Sequence, residues 1–572
     1  MFDDAPKFDA AKAPETEIPP PDPELQKFDD LRRYVKSGKI PWRKVSSWKR
    51  ENLCNQDLVT PEDVGYRNGI PFPLRSHRFA PSRLFQTKLR ARFIDNIAAA
   101  SAHELKDKHP TRSAADVLNL TQKVFFFILV LFAVLSLINY PLTTIIAANT
   151  VVTIYFLFAI AYRIVLVFTP VKRPKAPDQS LTLDYDDLPV ITILLPLYHD
   201  ADALVSLSQA IDQLQYPSDK KDVKLLLERD DHETIAEARR LGLDERYELI
   251  KVHDEGPRTK PKACNYGMHL ARGDLIVIFD AEDQPEPDQL LKAATAFRNG
   301  DAQLACVQAR LNYYNASENW LTRLFTLEYS LWFDWLLPAL QELGAPIPLG
   351  GTSNYFRTDT LIEIGGWDPF NVTEDADLGL RLSKLGYRVE ILDSTTFEEA
   401  NCKTGNWIRQ RSRWMKGYLQ TWLVHMRRPG DIIATTGWAG LLSIQLFTAG
   451  NVFSALINPI LWGVFIVWML TASPLISDAF PGPLLWLNVF ALAFGNMFFV
   501  VLAVIAPLKR GWRHLSIFGF TAPVYWLLTS LAAYKALWQI IFRPHFWEKT
   551  DHLISTVAIQ KREDALQDMA KK

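Results

Sequence analysis

Two apolar runs constrain this chain more than any other feature. Val124–Tyr140 (VFFFILVLFAVLSLINY) carries no charge, and Thr144–Phe168 carries one, Arg163 near its end. Each can cross a hydrocarbon core about 30 Å thick, and the short link at Pro141 makes the pair a hairpin. Lys172, Arg173 and Lys175 follow at once, so the positive-inside rule places both the N-terminal segment and the next region in the cytosol. A second apolar block holds the stretches Trp438–Leu470, Pro483–Pro507 and Leu515–Phe542. The link Thr471–Gly482 has no basic residue, whereas Lys509–His514 has three Lys or Arg, which predicts one pass out and one back. The last stretch has 28 residues, too few for two spans of roughly 20, and basic residues follow it. Three readings stand: re-entry at Pro523, a helix partly in the interface, or a breach of the charge rule.

Composition narrows the rest. The chain has 572 residues, enough for two or three domains, and 48% hydrophobic residues with 17 Trp suit a protein partly in membrane. A net charge of −1 supplies no field for nucleic acid. The four Cys form no CxxC pair, which disfavours a zinc knuckle or disulfide framework and suits reduced cytosolic thiols. Residues 1–24 are acidic and Pro-rich without an apolar run, so they read as a disordered tail rather than a signal peptide. Residues 25–117 read as a cytosolic segment. Its basic, turn-rich stretch from Arg67 (RNGIPFPLRSHRFAPSRLF) is either a docking segment or a small domain for an anionic ligand.

Residues 188–425, between the hairpin (122–170) and the C-terminal helices (434–542), alternate strand and helix patterns. VITILLPLY is a continuous apolar run like a buried parallel strand; helix Ala203–Leu214, strand VKLLLE, a helix after His232, strand ELIKVH, helix ACNYGMHLA and strand LIVIF follow. This predicts an α/β domain with a mainly parallel sheet, whose ligands bind at the carboxyl ends of strands. Residues 543–572 are expected to be a cytosolic tail.

Several side-chain groups fall at such ends. Asp280, Glu282 and Asp283 follow LIVIF; they read either as a solvated acidic loop or as hard oxygen ligands for Mg2+ or Mn2+. Glu228, Asp230 and Asp231 end the earlier strand and suit either a polar loop or contacts to a base or ribose. Lys260 and Lys262 can meet a diphosphate as point charges. Thr373-Glu374-Asp375 opens a helical pattern: capping explains all three, and a base facing a cleft explains Asp375. Gly350–Asn354, including Gly351, is either a turn or a close backbone approach to a ligand. Gln410-Arg411-Ser412-Arg413-Trp414 reads either as a basic membrane anchor or as part of a site.

In this order, the motifs resemble the membrane-bound glycosyltransferase family 2 enzymes, the group of cellulose, hyaluronan, chitin and poly-N-acetylglucosamine synthases. The resemblance covers about Leu188 to Trp422 and the flanking helices. It implies a GT-A-type (Rossmann-like) cytosolic domain inserted between transmembrane segments. It also implies inverting transfer of a sugar from a UDP-sugar to a growing, exported polysaccharide, with single transfer to a lipid carrier or glycolipid as the alternative and a non-enzymatic scaffold as a remote third. Leu195, Pro196 and Tyr198 look like the loop beside the nucleotide, and Glu228 like the uracil contact, with Asp230 and Asp231 as shifted alternatives. Lys262-Ala263-Cys264-Asn265 resembles Lys-Ala-Gly-Asn, and Lys260 is the second donor-side lysine. Asp280 matches the first Asp of the metal motif; Glu282 replaces the second, beside Asp283. Asp375 is the implied base, and Arg413 meets the diphosphate. Gln410, Arg411, Trp414 and Gly351 take the acceptor. Trp547, Lys549 and Thr550 in HFWEKTDH resemble a gating loop. The implied setting is a bacterial-type inner membrane, with the catalytic domain cytosolic, and partners that help export the product.

Overall fold

The computed structural model describes residues 64–67, 70–73, 82–171, 185–550 and 555–570. The expected tail, Cys54 and the basic cluster Lys172–Lys175 lie outside them. The chain divides into two units, 1–92 and 93–572. The first contains a hairpin, β1 (Val64–Arg67) and β2 (Ile70–Pro73), and the start of helix α1 (Ser82–Lys108). Everything below concerns the second.

Its centre is an eight-stranded mixed sheet. The strands are β3 (Ile191–Leu197), β4 (Lys221–Glu228), β5 (Glu248–Val252), β6 (Leu275–Ile278), β7 (Gln284–Pro285), β8 (Leu304–Tyr313), β9 (Asn354–Arg357) and β10 (Arg388–Glu398), in the order β5-β4-β3-β6-β9-β8-β10-β7. The half β5-β4-β3-β6 is parallel, as its apolar runs require: Ile191, Ile193, Leu194 and Leu195 are fully buried, with covered faces on both sides. The other half mixes directions, because β9 is antiparallel to both β6 and β8 while β8 and β10 are parallel. Lys224 lies wholly inside the sheet, and its ammonium donates to Glu248 (2.6 Å) and Asp222 (3.2 Å). Removing one partner would leave a buried charge uncompensated, at a cost of about 3–5 kcal/mol.

The strand directions bring four loops to one edge. Glu228 ends β4, Asp280 follows β6, and Glu398 ends β10. The turn 350–353 enters β9 there because β9 runs the opposite way. The fold class expected from the alternating pattern is what is found.

Around this lie the apolar helices. α2 (Leu120–Asn139) and α3 (Pro141–Phe168) meet at Tyr140. α4 (Thr404–His425) carries the Gln410–Trp414 motif, and α5 (Pro429–Phe447) kinks at Gly437, whose φ of 69° favours glycine. α6 (Ala449–Thr471), α7 (Pro483–Ile505) and α8 (Ala522–Phe542) follow. Among the described residues, five helical stretches are long and apolar enough to cross a membrane. Their outer faces are bare, with Phe127, Phe132, Leu470 and Trp486 each about 70% exposed or more, a surface that calls for lipid.

The final stretch divides in two. Arg513–Thr521 is a 3-10 segment and only α8 is α-helical. α8 lies along α4: Tyr525 packs on Trp407 (4.9 Å between ring centres), and Ala532, Ala533 and Ala536 cluster with Met415. At its start, Trp320 of the α/β domain donates to Thr521 (2.8 Å); just past its end, Gln420 of α4 donates to the Pro544 carbonyl (2.8 Å). Both ends therefore contact the α/β side, and α8 also belongs to a stretch, Arg513–Phe542, that is long and apolar enough to cross a membrane.

Candidate active site

One cavity of about 670 Å3 opens along the sheet edge and runs under α4 towards the membrane helices. It brings together most of the residues singled out in the sequence.

The donor side is built from loops after strands. Pro196 and Tyr198 line the cavity, whereas Leu195 points into the sheet core and is fully buried. Glu228 lines it too, and its carboxylate faces Lys262 at 3.1 Å. Burial raises the Glu228 pKa against the pull of that lysine. Lys262 is spent on this pair and the His253 carbonyl (3.3 Å) and does not reach the cavity. Asp231 is buried, capping the helix His232–Arg240 through Thr234 N–H and accepting from His199 N–H at 2.7 Å. That bond holds His199 at φ 55°, strained for a residue with a Cβ. Asp230 is exposed and paired with Arg258 at 2.7 Å. Leu195 and Asp231 are thus buried, and Lys262 and Asp230 are paired with Glu228 and Arg258, so these four stand behind the residues that line the cavity. Arg258, unmarked in the sequence reading, lines the cavity instead.

The acidic loop after β6 splits in two. Asp280 and Glu282 face the cavity; Asp283 turns inward, is 1% exposed, and accepts from the Asp280 N–H (2.6 Å) and the Thr352 hydroxyl. Burial, with Asp280 and Glu282 beside it, pushes the Asp283 pKa well above the carboxylate range. Asp283 is therefore corrected from metal ligand to loop brace. Among the described residues, no cluster of three or more ligating side chains forms a metal cage. The donor set fits a hard cation held by Asp280 and Glu282, with phosphate oxygens completing it, the usual arrangement for Mg2+ at a nucleotide.

Lys260 links this loop to the base candidate. Its ammonium meets Asp280 and donates to the Gly351 carbonyl at 2.8 Å. Burial opposes its charge, but Asp280 and Glu374 outweigh it and hold the ammonium firmly protonated. A Cβ added to Gly351 would sit 3.4 Å from Asp375 Oδ2. The turn is thus pressed between the lysine and the acid, closer than an ordinary surface turn.

Thr373, Glu374 and Asp375 all line the cavity. Thr373 occupies the N-cap position of the helix Glu374–Lys384 but makes no side-chain cap bond. It packs instead against α4 at Gly417, where an added Cβ would lie 2.4 Å from its methyl. Burial pushes Glu374 up to about 8, with Asp375 repelling it, and burial pushes Asp375 up to about 6. Both carboxyls are held above the ordinary carboxylate range, and as neighbours in one buried site they titrate as a pair.

α4 supplies the far wall. Gln410 accepts from Asn401 (2.8 Å) and reaches the cavity. Arg411 is committed elsewhere: it forms a fork on Glu328 (2.7 and 2.6 Å), donates to Tyr525 (3.1 Å), and lies over the rings of Phe325, Trp407 and Trp414. It still lines the cavity, beside the Trp414 ring that it packs on. Arg413 sits over Trp547 at 4.8 Å; burial lowers its pKa against the pull of Glu374 and Asp280.

The segment Pro544–Thr550 crosses this wall. Arg413, Lys416 and Gln420, three and four residues apart on one face of α4, donate to the carbonyls of Glu548 (3.3 Å), Phe546 (2.5 Å) and Pro544 (2.8 Å). Lys549 then donates to the Tyr198 carbonyl at 2.7 Å, and Trp547, Lys549 and Thr550 line the cavity.

Glu398 was missed, although it ends β10 as Glu228 ends β4 and the same rule finds it. It lines the cavity, and burial next to Asp283 and Glu282 raises it well above the carboxylate range. Glu328 gave no such signal: it lies mid-helix, and its partner Arg411 comes 83 residues later.

Residues 275–541 match the family model described as glycosyl transferase family group 2. Over these residues the chain is similar to glycosyltransferase family 2. The match takes in β6, the acidic loop, Thr373–Asp375, α4 and the helices to α8. The chain is 26% identical over 237 residues to the "Probable glycosyltransferase YdaM" of Bacillus subtilis (strain 168), covering 40% of this chain and 56% of that protein. It is 29% identical over 243 residues to the beta-monoglucosyldiacylglycerol synthase of Nostoc sp., 41% of this chain and 50% of that one. It is also 29% identical over 260 residues to "Probable glucomannan 4-beta-mannosyltransferase 10" of Arabidopsis thaliana, 43% and 46%. The chain spans about half the length of the curated relatives it matches. Among solved structures it is similar to the mannosyltransferase PcManGT of Pyrobaculum calidifontis in complex with GDP-Man and Mn2+, with a TM-score of 0.44 and 16% identity over 70% of this chain and 99% of that one.

Proposed function

We propose that the cavity transfers a sugar, with inversion, from a UDP-linked donor to the hydroxyl of a growing polysaccharide at a membrane. The observation that carries this is the juxtaposition of the Asp375 carboxyl with the Asp280–Glu282 loop through Lys260 and Gly351. The nucleotide lies towards Glu228, Arg258 and Tyr198. Asp375 accepts the proton of the acceptor hydroxyl as that oxygen bonds to the anomeric carbon. The bond from that carbon to the phosphate breaks, and the diphosphate leaves with the electron pair. Arg413 and Lys260 meet the charge that grows on it. A divalent cation held by Asp280 and Glu282 would supply Lewis-acid neutralisation of the same phosphates. Trp414, its plane fixed by Arg411, offers a flat face to the terminal sugar of the acceptor. The Pro544–Thr550 segment closes over the nucleotide, and the α/β domain faces the cytosol of a bacterial-type inner membrane.

The polysaccharide reading is favoured by the second cavity, about 220 Å3, among α3, α6 and α7. It shares Arg163, Asn451, Phe499, Trp526 and Thr529 with the first, and Asn458, Asn488 and Asn496 add amides to its wall. A hydroxylated chain suits such a lining better than an acyl tail. Single transfer to a lipid is the second reading, favoured by the Nostoc relative, whose name is that of a glycolipid synthase. Purified protein incubated with individual UDP-sugars and Mg2+ or Mn2+ decides between them: a sized ladder or polymer supports the first, a short lipid-extractable product the second, and no UDP release from any common donor defeats both.

A further inference from the structure

Where the two cavities meet stands a cation with no carboxylate partner. Arg163 of α3 is 9% exposed and lines both cavities. One guanidinium nitrogen donates to Asn451 Oδ1 at 2.9 Å, and another lies 3.5 Å from the Ala159 carbonyl, within its own helix. The rings of Phe447 and Phe499 flank it at 5.4 and 5.1 Å. Among the described residues it forms no ion pair. Glu328, on the same cavity wall, is taken by Arg411 and Tyr525.

An arginine does not escape the cost of burial by losing its proton. A long basic side chain near a helix end commonly snorkels to water. Arg163 does not: it points inward, between two aromatic rings, at the junction of the cavities. Amide and ring contacts offset part of the desolvation of a buried charge but leave it unneutralised. Charged residues held at such depth in membrane helices mark pathways for ligands. A neutral glycan would bring hydroxyls and no counter-charge; an oxyanion would bring both.

We infer that Arg163, aligned by Asn451, is an oxyanion site on the acceptor path, and that the acceptor carries a carboxylate or phosphate. This rests on the transferase reading only in assigning the ligand to the acceptor. The group can belong to an acidic sugar of the polymer or to a lipid headgroup, since both present the same oxygens to a guanidinium.

Binding tests it. The full chain is placed in discs of neutral phosphatidylcholine and titrated with three labelled ligands: a neutral oligosaccharide, a glucuronate-bearing one of equal length, and short-chain phosphatidylglycerol. At least one acidic ligand should bind tenfold or more tightly than the neutral one, and which one does so names the source. Arg163→Gln should erase the preference and Arg163→Lys should keep part of it. Asn451→Asp, which supplies the missing counter-charge with the arginine still present, should erase it too. Equal binding of all three ligands, or a preference that survives Asn451→Asp, overturns the inference. Acceptor-free donor hydrolysis by the same wild-type discs reports on the transferase reading separately: its absence with acidic binding intact counts against that reading and leaves the Arg163 site standing.

Discussion

Asp375 and Glu374 are adjacent in sequence and titrate as a pair. Asp375, raised to about 6, must lose its proton to act as a base, so kcat/KM should fall as pH drops through about 6, well above the ordinary carboxylate range. A pH–rate profile flat from pH 7 to 5 would contradict this. At the same scale, Asp280→Asn should raise the metal concentration needed for half-maximal turnover at least tenfold, whereas Asp283→Asn should mainly lower the melting temperature. Metal titration and calorimetry separate the two. These distinctions were only partly legible in the sequence. The acids at strand ends could be found because strand direction dictates where ligands bind. Which of three neighbouring acids turns inward could not, because that depends on Thr352 arriving from a turn 69 residues away. The pairing of Arg411 was hidden for the same reason: its charge was visible and its partner Glu328 was not.

Among the elements, α4 joins the most parts. One face holds the Pro544–Thr550 strap, another packs on α8, and Gly417 admits Thr373. Gly417→Ala would force the Thr373 turn away and should destabilise the fold by about 1–3 kcal/mol, seen as a lower denaturation midpoint, with activity falling further than stability explains. The strap should respond to its donors. Gln420→Ala removes two hydrogen bonds, the one given to the Pro544 carbonyl and the one accepted from Val372 N–H, each worth about 1 kcal/mol, and should raise the donor KM roughly fivefold or more while kcat changes less. An unchanged KM would mean that the strap does not gate the nucleotide. The alternating strands and helices were readable because buried parallel strands are continuous apolar runs. α8 was not, because its composition is that of a membrane span. Its contacts with Trp320 and α4 at both ends are made to residues distant in sequence.

At the scale of the whole molecule, a sheet edge, α4 and a bundle of apolar helices share one continuous space. In the proposed reaction the loops at the edge meet the departing diphosphate. α4 presents an aromatic face for an acceptor. Beyond it the lining turns to amides and one arginine and leads into the helices. The central claim is that Asp375 performs transfer in this space. It is tested most directly by single-turnover transfer of labelled sugar from a nucleotide donor, comparing wild-type protein with Asp375→Asn in the same membranes. Loss of transfer by about 100-fold or more, with donor binding retained, is the predicted result. Transfer by Asp375→Asn at the wild-type rate would contradict it.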